Sequence, residues 1–250
     1  MTQEKKALTL EDHFCFACHS GLECYTSCCR DVNIFLTPND VIRMKTALEM
    51  TSTEFLKKYT DVVVVPDRHL PLVQLRMNTE DNNKCFFVRP HGCLIYAHRP
   101  WACRMFPLDE AGAGGFSVIA TGDRCHGLVK GDDWQVKSWL KDQGATQSKE
   151  SDGSYDALAA HEFMRKLDIE NQQILNMIIT ALYDVDGFRK LIFESSFLDK
   201  FELDQERIDI CRTEDVAMLD LGFDWVKFGL LGQKTLTVKE SAIKAAKEAG

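Results

Sequence analysis

The chain has no long apolar run. Its uninterrupted hydrophobic stretches are short, Val62 to Val65 among them, and a membrane-crossing helix needs about 20 such residues. The opening Met1-Thr2-Gln3-Glu4-Lys5-Lys6 leads into no apolar core and no small-residue cleavage site, so no secretory signal is expected. There is no basic patch of the kind that tracks a phosphate backbone. Net charge is −8, and it is uneven: residues 1–130 hold 15 Lys and Arg against 15 Asp and Glu, and residues 131–250 hold 15 against 23. No internal repeat is visible. These absences lead to the expectation of a cytoplasmic protein that spans no membrane and binds no nucleic acid.

Several catalytic signatures fail on inspection. His161-Glu162 opens like a zinc-protease motif, but Arg165 stands where the second histidine belongs. Cys24 and Cys28 begin the Cys-x3-Cys-x2-Cys spacing of radical S-adenosylmethionine enzymes, but Asp31 occupies the third place. Ala111-Gly112-Ala113-Gly114-Gly115 resembles a phosphate-cradling loop, yet Phe116-Ser117-Val118-Ile119 after it reads as strand where such a loop needs a helix. A hairpin turn is expected there.

What the chain does have is cysteine: ten in 250 residues. A chain this long buries a core of its own, so the cysteines are not substituting for one. In a reducing compartment, dense cysteine points to metal or redox chemistry rather than to disulfides. Eight of the ten, Cys18, Cys24, Cys28, Cys29, Cys85, Cys93, Cys103 and Cys125, fall in one frame. Zinc and iron–sulfur centres both take four thiolates. Cys24 and Cys28 would share a face on a helical turn. The neighbours Cys28 and Cys29 splay apart, which suits one ligand to each of two adjacent centres. Eight thiols then make two four-thiolate sites; one such site with four bystanders is the rival partition. Cys15 completes a Cys-x-x-Cys with Cys18 and is a substitute ligand. Cys211 reads as an ordinary buried thiol.

Arg30, Arg99 and Arg104 neighbour these cysteines and are candidates to donate to thiolate or sulfide and to lower the local negative charge, with surface ion pairs as the plain alternative. His19, His91, His98 and His126 are candidate replacements for a thiolate. Asp31 and Asp123 are candidate acids or bases, with capping as the plainer role.

The local signals describe an α+β fold. Thr37-Pro38-Asn39-Asp40 is a helix start with a capping box, followed by Val41, Met44 and Leu48 at helical spacing. A second start falls at Thr51 or Thr53. Both helices are expected to pack on the cysteine region. Short β-like runs at 62–65, 72–77, 85–88, 93–96 and 116–121, separated by turns such as Pro66-Asp67, predict a small irregular antiparallel sheet. Residues 144–154 form a polar joint. Helical stripes follow at 171–183, at Phe188, Leu191 and Ile192, and at Val216, Leu219, Phe223 and Val226. The expected organisation is a cysteine-cluster domain at 14–130, a helical region at 155–232 and an exposed tail at 233–250.

The blocks Cys24-Tyr25-Thr26-Ser27-Cys28-Cys29, Cys85-Phe86-Phe87, Gly92-Cys93-Leu94-Ile95-Tyr96 and Arg99-Pro100-Trp101-Ala102-Cys103-Arg104-Met105-Phe106-Pro107 resemble the YkgJ-type cysteine-cluster family, a zinc- or iron-chelating group named for a CxxCxxCC pattern. The resemblance covers residues 14–130. It implies metal-ligand roles for the eight cysteines. The family is in turn similar to the cysteine region of flagellin lysine N-methylases, which implies an iron–sulfur cluster with S-adenosylmethionine and a protein substrate. Three functions follow: a metal-binding protein with structural or electron-carrying sites, a protein-lysine methyltransferase, and a metal- or redox-sensing module whose acidic helical part meets a protein partner.

Overall fold

The computed structural model describes residues 7–65, 70–112 and 114–248. The expected turn at Pro66-Asp67 and the first six residues of the polar lead-in lie outside them. The fold is α+β, and its chain divides into two compact units, residues 1–36 with 74–151, and residues 37–73 with 152–250. No helix among the described residues is long and apolar enough to cross a membrane.

The first unit is built on two-stranded antiparallel ladders rather than one continuous sheet. Strand His13–Phe16 pairs with Asp132–Gln135, with His13 opposite Gln135 and Phe16 opposite Asp132. The period of two sends Phe14 and Phe16 inward, where they meet Met105, Leu108, Val136, Trp139 and Leu140. The Trp139 ring stands edge-on to both phenylalanines, at 5.9 and 5.0 Å. Leu108–Glu110 and Phe116–Val118 form a hairpin closed through Ala111–Gly115, so the glycine-rich stretch is a turn, as its context predicts.

The second unit is helical. Both predicted starts carry complete capping boxes, Thr37 with Asp40 and Thr51 with Glu54, heading helices Pro38–Ala47 and Ser52–Tyr59. The expectation that these two helices pack on the cysteine region is corrected: they belong with the C-terminal helices. Lys45 Nζ lies 3.0 Å from Asp186 and 2.6 Å from Asp215, and Arg189 bridges the same two carboxylates at 2.8 and 2.7 Å. Ser52 Oγ donates to Asp184 at 2.6 Å, and its backbone N–H donates to Asp186 at 2.7 Å. A helix with an ionic as well as an apolar inner face is matched by the element that supplies the opposite charges, and those charges sit on helices Val185–Glu194 and Asp215–Leu231.

Residues 144–154 run through helices Ala145–Ser151 and Gly153–Ala159, and the boundary between units falls within them, at 151–152. The stripe at 171–183 forms helix Gln172–Ile178, capped by Asn171, which passes into a π-turn at Ile179–Tyr183. The tail carries a short strand, Thr237–Val238, paired with Phe201–Glu202, before a final helix, Glu240–Glu248.

Candidate metal centre

The cysteines reach their positions by backbone pairing. In strand His13–Phe16 the pleat turns Cys15 away from the phenylalanines, and its thiol donates to the Gly131 carbonyl at 2.9 Å. Just past the strand the chain docks on the far end of the frame, with the Ala17 N–H donating to the Gly127 carbonyl at 3.1 Å. That approach needs two glycines. A Cβ on Gly127 would sit 1.8 Å from the Ala17 carbonyl oxygen, and one on Gly131 would sit 2.2 Å from the Phe16 carbonyl carbon. Cys18 is thereby carried to the neighbourhood of Cys125. From His19 the chain descends through successive tight turns, Leu22 to His19, Tyr25 to Leu22, Ser27 to Cys24 and Cys29 to Thr26. The helical turn that would align Cys24 with Cys28 does not form, because Thr26 adopts a left-handed φ of 64° and a short 3-10 turn, Ser27–Cys29, follows. Cys24 Sγ instead accepts from the His126 N–H at 3.3 Å.

The second half of the frame is anchored from Arg30 onward. Arg30 bridges to Lys84, and the Asp31 N–H donates to the Asn83 carbonyl at 2.9 Å, which sets Cys29 beside Cys85. Val88 pairs with Cys93 and Arg89 with Gly92 around a tight hairpin. Gly92 there has φ +121°, and a Cβ on it would come 2.5 Å from the Tyr25 hydroxyl. That hydroxyl donates to the His91 carbonyl at 3.2 Å, so the first cysteine loop leans on the hairpin. Cys103 sits in helix Trp101–Met105, whose Trp101 and Met105 belong to the core of this unit.

Burial and neighbouring thiolates shift several of these thiols. The Cys18 thiol is pushed up to about 11, by burial first and then by the charges of Cys28, Cys125 and Cys24. The Cys125 thiol is also raised, chiefly by burial, with Cys24 and Cys28 adding to it. Cys28 and Cys29 share one hydrogen bond, Sγ to Sγ at 4.0 Å. That bond lowers Cys28 to about 7 and raises Cys29, which keeps the proton; burial and the charges of Cys28, Cys103 and Cys85 raise Cys29 further. Cys85 and Cys93 are both raised, by burial above all. Crowded half-buried thiolates repel one another, and a cation is the natural remedy.

Against the burial that raises them, the backbone amides of Phe87, of Ile95, and of Leu128 and Gly127 pull the thiols of Cys85, Cys93 and Cys125 back down. A backbone amide close to a sulfur favours its thiolate form over its thiol. The donor set therefore fits a thiolate-bound zinc or iron centre. Among the described residues, no group of three or more His, Cys, Asp or Glu side chains is positioned to hold an ion as it stands.

The other candidates are placed as follows. Arg99 is buried, stacks on the Tyr96 ring at 3.9 Å and contributes positive charge to both Cys18 and Cys93. Arg30 donates to the Asp81 carbonyl at 2.9 Å. Arg104 donates to the carbonyls of Arg99, Gln143 and Ala97, at 3.0, 2.9 and 2.6 Å, and ties the Arg-Pro block to the end of helix Val136–Asp142. The His19 ring accepts from the Gly21 N–H within its own turn. His126 contributes its backbone N–H to Cys24. His98 closes a 3-10 turn. Asp31 lies in the left-handed region at φ 50° and accepts from Asn83 at 3.4 Å. The Asp123 carboxyl is lowered, first by a hydrogen bond from Thr121. Cys211 is buried in the second unit, its thiol raised by burial. Arg89 is an addition that sequence reasoning missed: it donates to the carbonyls of Phe86 and Val88, and its charge favours the thiolates of Cys85 and Cys93. Its place between the Cys85 and Gly92-Cys93 blocks was the available signal.

Residues 17–126 match the model of the CxxCxxCC family, described as a "Putative zinc- or iron-chelating domain". No curated protein and no solved structure matches the chain. The matched stretch is the one that carries the cysteine frame, from Cys18 to Cys125, and the match suggests a zinc- or iron-chelating function for it.

Proposed function

We propose that this CxxCxxCC domain binds zinc or iron–sulfur through Cys18, Cys24, Cys28, Cys29, Cys85, Cys93, Cys103 and Cys125, and that its centres are structural or carry electrons. The observation that supports this most is the match of residues 17–126 to a zinc- or iron-chelating family model, beside a fold in which Cys24 Sγ accepts from the His126 N–H at 3.3 Å and the Cys28 and Cys29 sulfurs lie 4.0 Å apart. A set made wholly of thiolates leaves no open coordination position, which favours a structural or electron-carrying role over Lewis-acid catalysis. When bound, the metal would join loops that are otherwise linked by short ladders. Arg89 and Arg99 offset part of the negative charge of the sulfurs. We propose a cytoplasmic location, the reducing compartment in which a dense set of cysteines serves metal or redox chemistry rather than disulfides. The S-adenosylmethionine reading rested on resemblance alone and forms no part of this proposal.

Anaerobic purification followed by elemental analysis and an absorption spectrum tests the reading. Iron with acid-labile sulfide and visible colour identifies an iron–sulfur protein, and a colourless chain with stoichiometric zinc identifies a zinc protein. A chain that carries neither, and takes up neither on reconstitution, overturns it.

A further inference from the structure

The backbone sorts the eight thiols into two groups. Ala17 docks on Gly127 through a 3.1 Å hydrogen bond and brings Cys18 to Cys125, while the His126 N–H reaches Cys24 Sγ at 3.3 Å. These contacts join the start of the frame to its end. A different set joins its middle: the Arg30–Lys84 bridge with the Asp31–Asn83 hydrogen bond sets Cys29 beside Cys85, and the Val88–Cys93 ladder folds Cys93 back toward the same place. Cys28 and Cys29 lie where the two sets meet, their sulfurs 4.0 Å apart.

The geometry points to two distinct four-thiolate centres, one formed by Cys18, Cys24, Cys28 and Cys125 and the other by Cys29, Cys85 and Cys93 with Cys103, the thiol of the eight that is left over, the two joined through the Cys28–Cys29 peptide. This deepens the metal-binding reading and rests on it. A residue pair at the junction explains why a Cys-Cys dipeptide is used: one thiolate cannot ligate both centres without bridging them, whereas two adjacent ones give each centre its own.

Cobalt(II) is the probe, because four-thiolate sites give it intense charge-transfer and d–d absorption. The full-length chain, stripped of metal under anaerobic conditions, is titrated while native mass spectrometry counts bound ions. Saturation at two equivalents is expected, with a one-ion species on the way. Alkylation of the partly loaded chain, read cysteine by cysteine, is expected to show protection rising as two blocks, Cys24 with Cys125 and Cys85 with Cys93, in unequal proportion. The paired substitutions Cys24→Ser with Cys125→Ser, and Cys85→Ser with Cys93→Ser, are each expected to halve the stoichiometry. Saturation at one equivalent, or protection of all eight thiols in constant ratio, overturns the partition while leaving metal binding intact. No cobalt uptake at all overturns metal binding itself. The titration and footprint use the unmodified chain, so a variant that fails to fold does not shield the proposal.

Discussion

Substitution of Gly127 by alanine tests how the start of the cysteine frame is held to its end. Gly127 is not at a positive φ, and its requirement is for space: a Cβ there would lie 1.8 Å from the Ala17 carbonyl oxygen, where ordinary contact begins at 3.4 Å. Backbone is in the way rather than a side chain that can swing aside, so the Ala17 peptide must retreat by about 1.6 Å. Overpacking of this kind costs roughly 1–3 kcal/mol. The Ala17 N–H to Gly127 carbonyl bond, 3.1 Å long, is lost as well, at about 1 kcal/mol. The expected total is about 2–4 kcal/mol, a fall of roughly 5–15 °C in the melting of the first unit. Metal–thiolate distances tolerate only about 0.2 Å. A retreat of the Cys18 segment by several times that figure is therefore expected to empty the proposed centre that includes Cys18 and Cys125. The assay is differential scanning calorimetry with metal analysis of Gly127→Ala beside Gly153→Ala. At Gly153 a Cβ meets nothing within 4 Å, so that control is expected to melt at or slightly above the wild type. A Gly127→Ala chain with wild-type melting and full metal content would refute the reasoning.

Three further outcomes are expected. Gly222→Ala, whose Cβ would fall 2.0 Å from the Ala181 carbonyl oxygen, should destabilise the second unit by about 1–3 kcal/mol in urea melts and leave metal content unchanged. Lys45→Met removes the ammonium that faces both Asp186 and Asp215 and leaves two carboxylates to one guanidinium; a loss of about 3 kcal/mol is expected, relieved when Asp215→Asn is added. Asp152 is buried, and burial pushes its carboxyl up from 3.8 to about 6, although Asn39 donates to it at 3.0 Å. The folded state thus holds the proton more tightly than the unfolded one, and stability falls as pH rises from about 4 through 6. Asp152→Asn should remove that slope in the metal-stripped chain and stabilise it at pH 7 by up to about 3 kcal/mol, fading by pH 4; a variant less stable than the wild type at pH 7 would contradict this sign.

Local signals in the chain were dependable where one element decides its own conformation. Thr37 with Asp40 and Thr51 with Glu54 form their capping boxes as spacing predicts, because three residues and one turn are all such a cap requires. Asn171 caps its helix for the same reason, and the glycine-rich stretch closes a hairpin because strand residues flank it. Strand Asp132–Gln135 was illegible: Asp132-Asp133-Trp134-Gln135 has no apolar alternation, and it is a strand because Phe14 and Phe16 bring a partner edge to it. The packing of helices Pro38–Ala47 and Ser52–Tyr59 was misread because a helix's apolar stripe names no partner; the carboxylates of Asp184, Asp186 and Asp215 do.

For the cysteine frame the division is similar. Residue identity and order establish that eight thiols fall between residues 17 and 126 and that this stretch matches a family model described as zinc- or iron-chelating. Which sulfur lies near which is a matter of three-dimensional arrangement, set by contacts between residues a hundred apart, such as Ala17 with Gly127 and Cys24 with His126. The His126 amide proton directed at Cys24 Sγ was likewise invisible, since every residue but proline carries one and only the turn gives it a direction. A sequence lists donor atoms, and only the folded backbone gives them distances.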